Sequence, residues 1–382
     1  MGSDKKLKIL FAIGRLSVGG AEKLLVKQLP IVNREKFDPY LLTLFLEQKD
    51  SFADQIKLNG NHWKKLDFRS LFDLKSWLDL YKFLKKENFD AVVTSLFSAN
   101  LMVRIVAVFL RVPVIISYEH NFYPNKRRWQ IWADRLLAKW TDKIIIDADA
   151  VRKFTAEQEK ISIEKFLTMY IPPLLDAAEA RDTDLVRREL GIPPEAKIIL
   201  TVSRLVEEKG HRYLVEAAKE VLKEFPNAYF VIVGWGNQEE SLKSQVSSGG
   251  GSSSGGEGVK LKDRVILPGR MDIQEVLPLA DIYAEPAVMI DLPIAIMEAM
   301  RMGKPIVASA IGEIPLFVKD GKTGFLVPPS NSAALAEKII HLLKNEDLRK
   351  RFGDSAEQAV RKYSLGEYES RFEDLVIKLS GK

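Results

Sequence analysis

Short apolar runs alternate with longer amphipathic stretches along most of this chain. The runs are apolar at consecutive positions, which is typical of strands buried on both faces of a parallel sheet. The stretches between them, such as residues 74–87 and 212–225, repeat apolar side chains at helical spacing. The pattern predicts strands at residues 7–13, 40–45, 91–95, 114–117, 143–146, 198–202, 229–233, 265–267, 282–284 and 305–308.

Strands that alternate with helices predict an α/β fold with parallel sheets covered on both faces. Two prolines, Pro172 and Pro173, precede a polar stretch and indicate a break between two such sheets. We therefore predict two doubly wound, Rossmann-like domains. Their predicted bounds are residues 7–175 and 176–363, with residues 364–382 as a helix that crosses back to the first domain.

Composition narrows the class of protein. The 382 residues suffice for two domains, and the net charge of +5 is dispersed along the chain, so a nucleic-acid partner is not expected. Cysteine is absent, which excludes disulfides and thiolate catalysis, and no metal site is predicted because the four histidines lie far apart in sequence. The N-terminus lacks a signal-peptide pattern, so a cytoplasmic protein is expected. The oligomeric state stays open.

One segment has the residue types of a helix that binds a membrane surface. Lys126, Arg127 and Arg128 precede Trp129, and Trp132 and Trp140 follow at helical spacing. A basic helix with aromatic side chains is more often a solvated face over a core than a membrane-binding element. Membrane association is therefore possible but is not expected from the sequence.

Polar residues and glycines follow the predicted strands of the first domain. In parallel sheets, ligands bind at the carboxyl ends of the strands. The paired glycines at 19 and 20 form a turn in which backbone can approach a phosphate closely. The residues expected at this common edge are Gly19, Gly20, Ser95, Ser98, Glu119, His120, Asp147 and Asp149.

A strand, a turn and a helix occupy residues 281–302. The helix is predicted over residues 292–302, and Gly303 with Pro305 ends it. Free N–H groups at a helix start bind anions, which makes this a candidate phosphate site.

Several motifs resemble the GT-B glycosyltransferases, most closely the retaining family 4 type of the glycogen-synthase-like superfamily. They lie at residues 19–22, 119–121, 203–210, 234–236, 292–300 and 321–328. The resemblance implies two domains that enclose a cleft, a nucleotide-sugar donor such as a UDP- or GDP-sugar, and no other cofactor. It also implies that Arg204 and Lys209 neutralise the leaving diphosphate, that Glu298 contacts the ribose and that His120 approaches the transferred sugar.

The same comparison exposes departures. The family's pattern requires Glu at position 290 and Gly at 291, where this chain has Ile290 and Asp291. Asp291 is expected to cap the helix and, at about 4 Å from a phosphate, to repel it by roughly 4 kcal/mol at an effective dielectric of 20. Nucleotide-sugar binding is therefore expected to be weak.

These departures, with the Gly/Ser-rich segment 247–258, suggest an engineered protein. In this hypothesis the segment is an inserted linker and the cleft is redesigned for a small, partly apolar ligand, with native sugar transfer lost or weakened. The alternative is a functional retaining glycosyltransferase that moves a sugar from a nucleotide-sugar to a lipid, glycan or protein acceptor. The candidate residues of a redesigned cleft are the apolar Ile171, Leu174, Trp235, Met289 and Ile290 and, as a desolvated base or acceptor, Asp147, Asp149, Glu285 or Asp291.

Overall fold

The computed structural model divides into two units. Unit 1 comprises Met1–Leu174 and Leu365–Lys382, and unit 2 comprises Leu175–Ser364. The residues that the structure describes are 5–17, 19–47, 51–58, 60–120, 123, 125–175, 182–248, 260–289 and 293–381.

Unit 1 is built on a seven-stranded sheet in the order β3-β2-β1-β4-β5-β6-β7, in which neighbouring strands are parallel. Apolar side chains fill both faces of the central strands, as the consecutive apolar runs predict. The strands are β1 (Leu7–Ile13), β2 (Phe37–Thr43), β3 (Trp63–Lys65), β4 (Ala91–Ser95), β5 (Val114–Glu119), β6 (Lys143–Ile146) and β7 (Phe166–Thr168). The helices between them are α1 (Gly20–Gln28), α2 (Leu74–Glu87), α3 (Leu96–Phe109), α4 (Arg128–Leu137) and α5 (Asp149–Glu159).

Unit 2 repeats the design on a six-stranded parallel sheet in the order β10-β9-β8-β11-β12-β13. Its strands are β8 (Lys197–Val202), β9 (Ala228–Val233), β10 (Val265–Gly269), β11 (Ile282–Glu285), β12 (Ile306–Ser309) and β13 (Gly324–Val327). Its helices are α6 (Thr183–Glu189), α7 (His211–Glu224), α8 (Glu239–Ser248), α9 (Ile273–Val276), α10 (Ile294–Arg301), α11 (Ile314–Phe317), α12 (Ser332–Lys344) and α13 (Glu346–Val360).

Both sheets are doubly wound, which confirms the predicted fold class. In each sheet the chain starts near the middle, runs to one edge, and then returns to fill the other side, so the strand order reverses beside β1 in unit 1 and beside β8 in unit 2. Ligands of such sheets bind at the carboxyl ends of the strands where the order reverses. The fold thus selects the β1/β4 and β8/β11 strand ends as candidate sites.

Strands β3, β7 and β13 are additional to those that the sequence predicts, and two further elements have different bounds. Strand β2 begins at Phe37 and not at residue 40. Pro39 therefore lies inside the strand, in register with Ile9 of β1. The neighbouring β3 pairs only with Leu41–Thr43, so proline is tolerated where one side of β2 has no partner strand. The helix predicted over 292–302 is described as α10 from Ile294 to Arg301, and its predicted first residue lies outside the described residues.

The last helix, α14 (Leu365–Ser380), packs on the sheet of unit 1. Its Phe372 ring contacts Phe11 of β1 and Tyr118 of β5. The Tyr368 hydroxyl donates a hydrogen bond of 3.1 Å to the Tyr118 hydroxyl. These contacts anchor the C-terminus beneath the strand ends of unit 1.

No described helix combines the length and apolar character that crossing a membrane requires.

Candidate functional site

His120 and Asp147 meet at the strand-end edge of unit 1. His120 follows β5 and Asp147 follows β6, and the His120 Nδ1 lies 2.9 Å from an Asp147 carboxyl oxygen. Both side chains are buried, and the His120 ring stacks almost parallel on Tyr118 at 5.2 Å. Burial alone lowers the pKa of His120, but the charge and hydrogen bond of Asp147 raise it above its ordinary value. Asp147 therefore fixes the ring and favours its protonated form.

Glu22, the last residue of the 19–22 motif and not itself a predicted site residue, adds a carboxylate to this edge. It is buried in the first turn of α1, and its Oε2 lies so close to Gly19 that an added Cβ there would approach it to 2.5 Å. Burial raises the pKa of Glu22, while the charge of His120 lowers it. The close approach expected at Gly19 and Gly20 is thus made, in this structure, by a glutamate of the chain itself.

Asp149, a candidate for a desolvated base, lies at the surface of unit 1. Its side chain is about half exposed and lies 3.2 Å from the Arg152 guanidinium. The Thr168 hydroxyl donates a 2.6 Å hydrogen bond to it. The Asp149 carboxylate is therefore accessible to solvent and is not desolvated by burial.

In unit 2, glycines hold the loop after β8 close to the loop after β9. Leu205 N donates to the Trp235 carbonyl at 2.8 Å. A Cβ on Gly234 (φ +151°) would lie 1.8 Å from the Ser203 carbonyl oxygen, and one on Gly236 (φ +159°) 2.2 Å from that of Leu205. Only glycine permits both contacts, and they fix the backbone that carries Arg204.

The same loop is fixed on its other side by the turn after β11. The Glu208 carbonyl accepts hydrogen bonds from Val288 N at 2.9 Å and Met289 N at 3.1 Å. A Cβ on Gly210 (φ +64°) would lie 2.2 Å from the Pro286 carbonyl oxygen. The segment 203–210 is therefore held from both neighbouring strand ends.

Arg204 and Lys209 project from this fixed segment. Arg204 is exposed, and its guanidinium lies 3.9 Å from Glu208, a contact too exposed to neutralise it. His211 stays neutral because burial and the charge of Lys209 lower its pKa to about 4, and its Nε2 lies 2.9 Å from the Ser203 hydroxyl. The segment thus presents two cations at the end of β8, where the strand order reverses.

Glu285 ends β11 directly beside this segment. It is buried, its Oε1 has no hydrogen-bond partner among the described residues, and the Tyr283 hydroxyl lies 3.5 Å from its other oxygen. Burial raises the pKa of Glu285, while Lys209 and Tyr283 oppose the rise. Of the candidate bases, Glu285 therefore meets the desolvation requirement that Asp149 fails.

The other predicted residues lie in varied surroundings. Glu298 is buried on α10. Its charge adds to the rise in the pKa of Tyr283 that burial and Glu285 cause. Trp235 and Met289 are about half exposed, and the Arg270 guanidinium lies 5.1 Å from the Trp235 ring centre. Ile171 and Leu174 are buried apolar side chains of unit 1.

The sequence prediction that Asp291 caps a helix and repels a phosphate concerns residues that the structure does not describe, as does the prediction for Ile290. The Gly/Ser-rich segment 247–258 is described only at residues 247 and 248, which belong to α8.

Glu369 is a second buried acid that the sequence did not reveal. It neighbours Tyr368 on α14, and neither carboxyl oxygen makes a hydrogen bond among the described residues. Burial raises its pKa to about 8, and the charge of Glu373 adds to the rise. Glu369 is therefore mostly protonated in the folded protein at neutral pH.

Replacing Glu369 by glutamine is expected to stabilise the protein at pH values above the pKa that Glu369 has in the unfolded chain. Because the folded state holds the proton up to about pH 8 and the unfolded state releases it near 4.5, stability falls as pH rises through this window. Glu369→Gln removes that loss, worth roughly 3 kcal/mol at pH 7. Thermal melts at about pH 5 and pH 8 should show a gain that grows with pH, whereas Glu367→Gln, exposed on the same helix, should show none. An equal gain at both pH values would contradict this explanation.

The sequence of this chain is similar to those of known sugar-transferring enzymes. Residues 182–359 match the family model described as glycosyl transferases group 1. An Escherichia coli UDP-Gal:alpha-D-GlcNAc-diphosphoundecaprenol alpha-1,3-galactosyltransferase is 24% identical over 99% of this chain and 98% of its own length. An alpha-D-kanosaminyltransferase of Streptomyces kanamyceticus is 28% identical over 72% of each chain.

Among solved structures, the Anabaena protein HepE in complex with UDP and glucose superimposes with a TM-score of 0.78. The match covers 97% of this chain and 100% of HepE, at 19% identity. At that identity the likeness concerns the fold, and it spans both units.

The hypothesis of a redesigned scaffold that has lost sugar transfer is wrong. Relatives matched over most or all of their length are natural sugar-transferring enzymes, and no finding indicates engineering. Departures at single motif positions therefore do not mark this chain as a redesigned protein. The chain has a two-domain GT-B fold, and residues 182–359 of its second unit match the family model of group 1 glycosyl transferases.

Proposed function

We propose that this protein is a retaining glycosyltransferase that moves a sugar from a nucleoside diphosphate sugar to an acceptor hydroxyl. One observation carries the proposal: the segment 203–210 is held rigidly from two neighbouring strands and presents Arg204 and Lys209 where the strand order of unit 2 reverses. Two fixed cations at that position suit a diphosphate, whose negative charge increases as the sugar departs.

In the proposed reaction, the bond between the anomeric carbon and the diphosphate oxygen breaks and a bond to the acceptor oxygen forms. The acceptor's proton leaves with the diphosphate, so atoms and charges balance. Arg204 and Lys209 stabilise the leaving group, and Glu298 contacts the ribose. Since the fixed donors need no reorganisation during the reaction, they act mainly on the transition state.

His120 is proposed to contact the transferred sugar. Asp147 holds its ring and raises its pKa, so the imidazole donates hydrogen bonds to sugar hydroxyls. The neighbouring Glu22 and Asp147 supply negative charge that favours a sugar over a second phosphate at this edge of unit 1.

The identity of the nucleotide is proposed from the comparisons. The E. coli relative is named for UDP-Gal, and the HepE structures contain UDP or UDP-glucose. We therefore propose a UDP-sugar as donor, with no metal or other cofactor. The small-molecule ligand of this protein is then the donor itself.

Nucleotide binding tests the proposal directly. UDP at about 100 times its dissociation constant stabilises a binding-competent protein by about 2.7 kcal/mol, which corresponds to a rise in Tm of several degrees. We expect this shift with UDP, a smaller one with GDP, and almost none with uridine, which lacks the phosphates. Failure of millimolar UDP, GDP and ADP alike to raise the Tm would refute the proposal.

A further inference from the structure

The end of β11 buries a carboxyl group that the proposed reaction does not use. Glu285, the last residue of this strand, is 2% exposed, and its Oε1 has no hydrogen-bond partner among the described residues. Its other oxygen accepts a long hydrogen bond of 3.5 Å from the Tyr283 hydroxyl. A buried carboxyl group with so few hydrogen-bond donors is costly in its charged form, so its protonation state depends on the charges around it.

Tyr283 stabilises the charged form of Glu285 only weakly. The two residues lie two positions apart on the same face of β11, and the Tyr283 hydroxyl also lies 3.3 Å from the Val202 carbonyl oxygen, to which it donates. A single hydroxyl hydrogen is shared between these two acceptors. Donation to Val202 therefore leaves the Glu285 carboxyl group without a donor among the described residues.

Lys209 supplies the positive charge that acts on Glu285. The segment 203–210 lies against the turn after β11, since a Cβ on Gly210 would lie 2.2 Å from the Pro286 carbonyl oxygen. Burial raises the pKa of Glu285, and the charge of Lys209 lowers it. Because the backbone contacts hold the two segments together, this electrostatic coupling is built into the fold of unit 2.

The other elements around the end of β11 add little positive charge near Glu285. Strand β12 places Ala308 in register with it. His211 of α7 stays neutral at pH 7, because burial and the charge of Lys209 lower its pKa to about 4. Glu298 of α10 is a further acid, whose charge adds to the rise in the pKa of Tyr283 that burial and Glu285 cause. The remaining charged pair of the segment 203–210, 3.9 Å apart at partly exposed positions, is Arg204 and Glu208.

We propose that Glu285 takes up a proton when the diphosphate of a nucleotide sugar binds beside Lys209. The diphosphate brings two negative charges, which offset the charge of Lys209 that favours the ionised carboxylate. Protonation then removes a buried negative charge from the surroundings of the ligand. Because Glu285 is buried, it acts on the ligand through charge and not by contact, as a positioning residue. The inference rests on the proposed function and adds a proton to its binding step.

Proton uptake gives donor binding a defined dependence on pH. Since the bound diphosphate raises the pKa of Glu285, the complex holds the proton over a range of pH in which the free protein has lost it. Within this range the dissociation constant rises with pH by up to about tenfold per pH unit, and outside it Glu285 contributes no slope. UDP-glucose is the suitable probe, because its doubly esterified diphosphate does not titrate near neutral pH, whereas the terminal phosphate of UDP does.

Calorimetry of UDP-glucose binding to the full chain tests the proposal. Titrations in Pipes and in imidazole, buffers with different ionisation enthalpies, give the number of protons taken up, and a series from about pH 5.5 to about pH 8.5 gives the slope. We expect uptake of a large fraction of one proton where the slope is steepest. Glu285→Gln, a neutral side chain of the same shape, should lose this uptake and bind about tenfold more tightly than the unaltered chain at the alkaline end of the series.

Two further variants separate the loss of a titrating group from a change in folding. Glu285→Leu replaces the carboxyl group by an apolar side chain of similar size, a change that buried charged groups often tolerate, and should also lose the uptake. Glu220→Gln neutralises an exposed carboxylate of α7 and should keep both the uptake and the slope of the unaltered chain. Circular dichroism and Tm compare the folding of all variants.

Two results would overturn this inference and leave the proposed function in place. One is binding of UDP-glucose without proton uptake at any pH of the series. The other is uptake that persists unchanged in folded Glu285→Gln, which would assign the proton to another group. Absence of UDP-glucose binding, together with absence of a thermal shift by UDP, would instead refute the proposed function and the inference with it.

Discussion

Replacing Lys209 by methionine is expected to lower kcat/KM for a UDP-sugar about a thousandfold. Lys209 belongs to a segment that is held on both sides, so its charge is positioned before the reaction and needs no reorganisation. A cation about 4 Å from a diphosphate oxygen contributes roughly 4 kcal/mol at an effective dielectric of 20, which corresponds to about a thousandfold in rate. Steady-state kinetics with varied donor concentration measures the effect.

Methionine keeps the aliphatic length of Lys209, so the fold should persist. The matched control is Lys219→Met, an exposed lysine of α7, which should leave kcat/KM unchanged. The combined Arg204→Met, Lys209→Met variant should lose less than the product of the two single losses, because the two cations act on one leaving group. Near-normal turnover by folded Lys209→Met would remove Lys209 from the proposed site.

The largest loss of stability is expected from Lys126→Met. Lys126 Nζ is buried 3.0 Å from Asp134, 2.5 Å from Glu159 and 3.6 Å from Glu119. Burial alone would lower the pKa of Lys126, but the three carboxylates raise it well above its ordinary value. Removing the cation leaves the buried carboxylates without its compensating charge, which lowers the free energy of unfolding by about 3 to 5 kcal/mol.

The pH dependence of this loss follows from Glu159. Burial raises its pKa to about 7, while Lys126 opposes the rise. Without Lys126 the pKa rises further, so the carboxyl groups take up protons on folding and acid restores stability. Thermal melts should show that the loss in Lys126→Met is smaller at about pH 5 than at pH 8.

Two further variants make the explanation specific. Adding Glu159→Gln to Lys126→Met should restore part of the stability, because it removes one of the buried acids. Lys139→Met, which alters an exposed lysine just beyond α4, should change the Tm very little. A full loss in Lys126→Met that is independent of pH and unaffected by Glu159→Gln would indicate a packing defect instead.

Much of the fold and part of the candidate site could be predicted from the sequence. Apolar runs such as Leu7–Ile13 must be buried on both faces, and their alternation with helical stretches leaves a doubly wound sheet as the consistent arrangement. The three-residue strands β3 and β7 escaped prediction, since so short a segment has no period to detect. His120 is predicted because it follows a strand end, a position that sequence order alone defines, whereas the roles of Arg204 and Lys209 are implied by the resemblance to the GT-B glycosyltransferases.

The buried polar contacts could not be predicted in this way. Lys126 and Glu159 are 33 residues apart, and Tyr118 and Tyr368 are 250 apart. The residues that neighbour them in sequence do not predict such distant partners. The raised pKa of Glu369 likewise depends on burial of α14 against unit 1, which a helical period signals only as an apolar stripe.

The sequence by itself determined the two doubly wound sheets and the strand ends at which site residues are expected, because burial period and chain order are local properties. The tertiary structure alone decided that Glu22 occupies the turn at Gly19, that Glu285 is desolvated beside Lys209, and that Trp132 faces solvent. The physical reason is common to all three. Solvation and electrostatic energy depend on which distant groups surround a side chain, and only the packed chain fixes those neighbours.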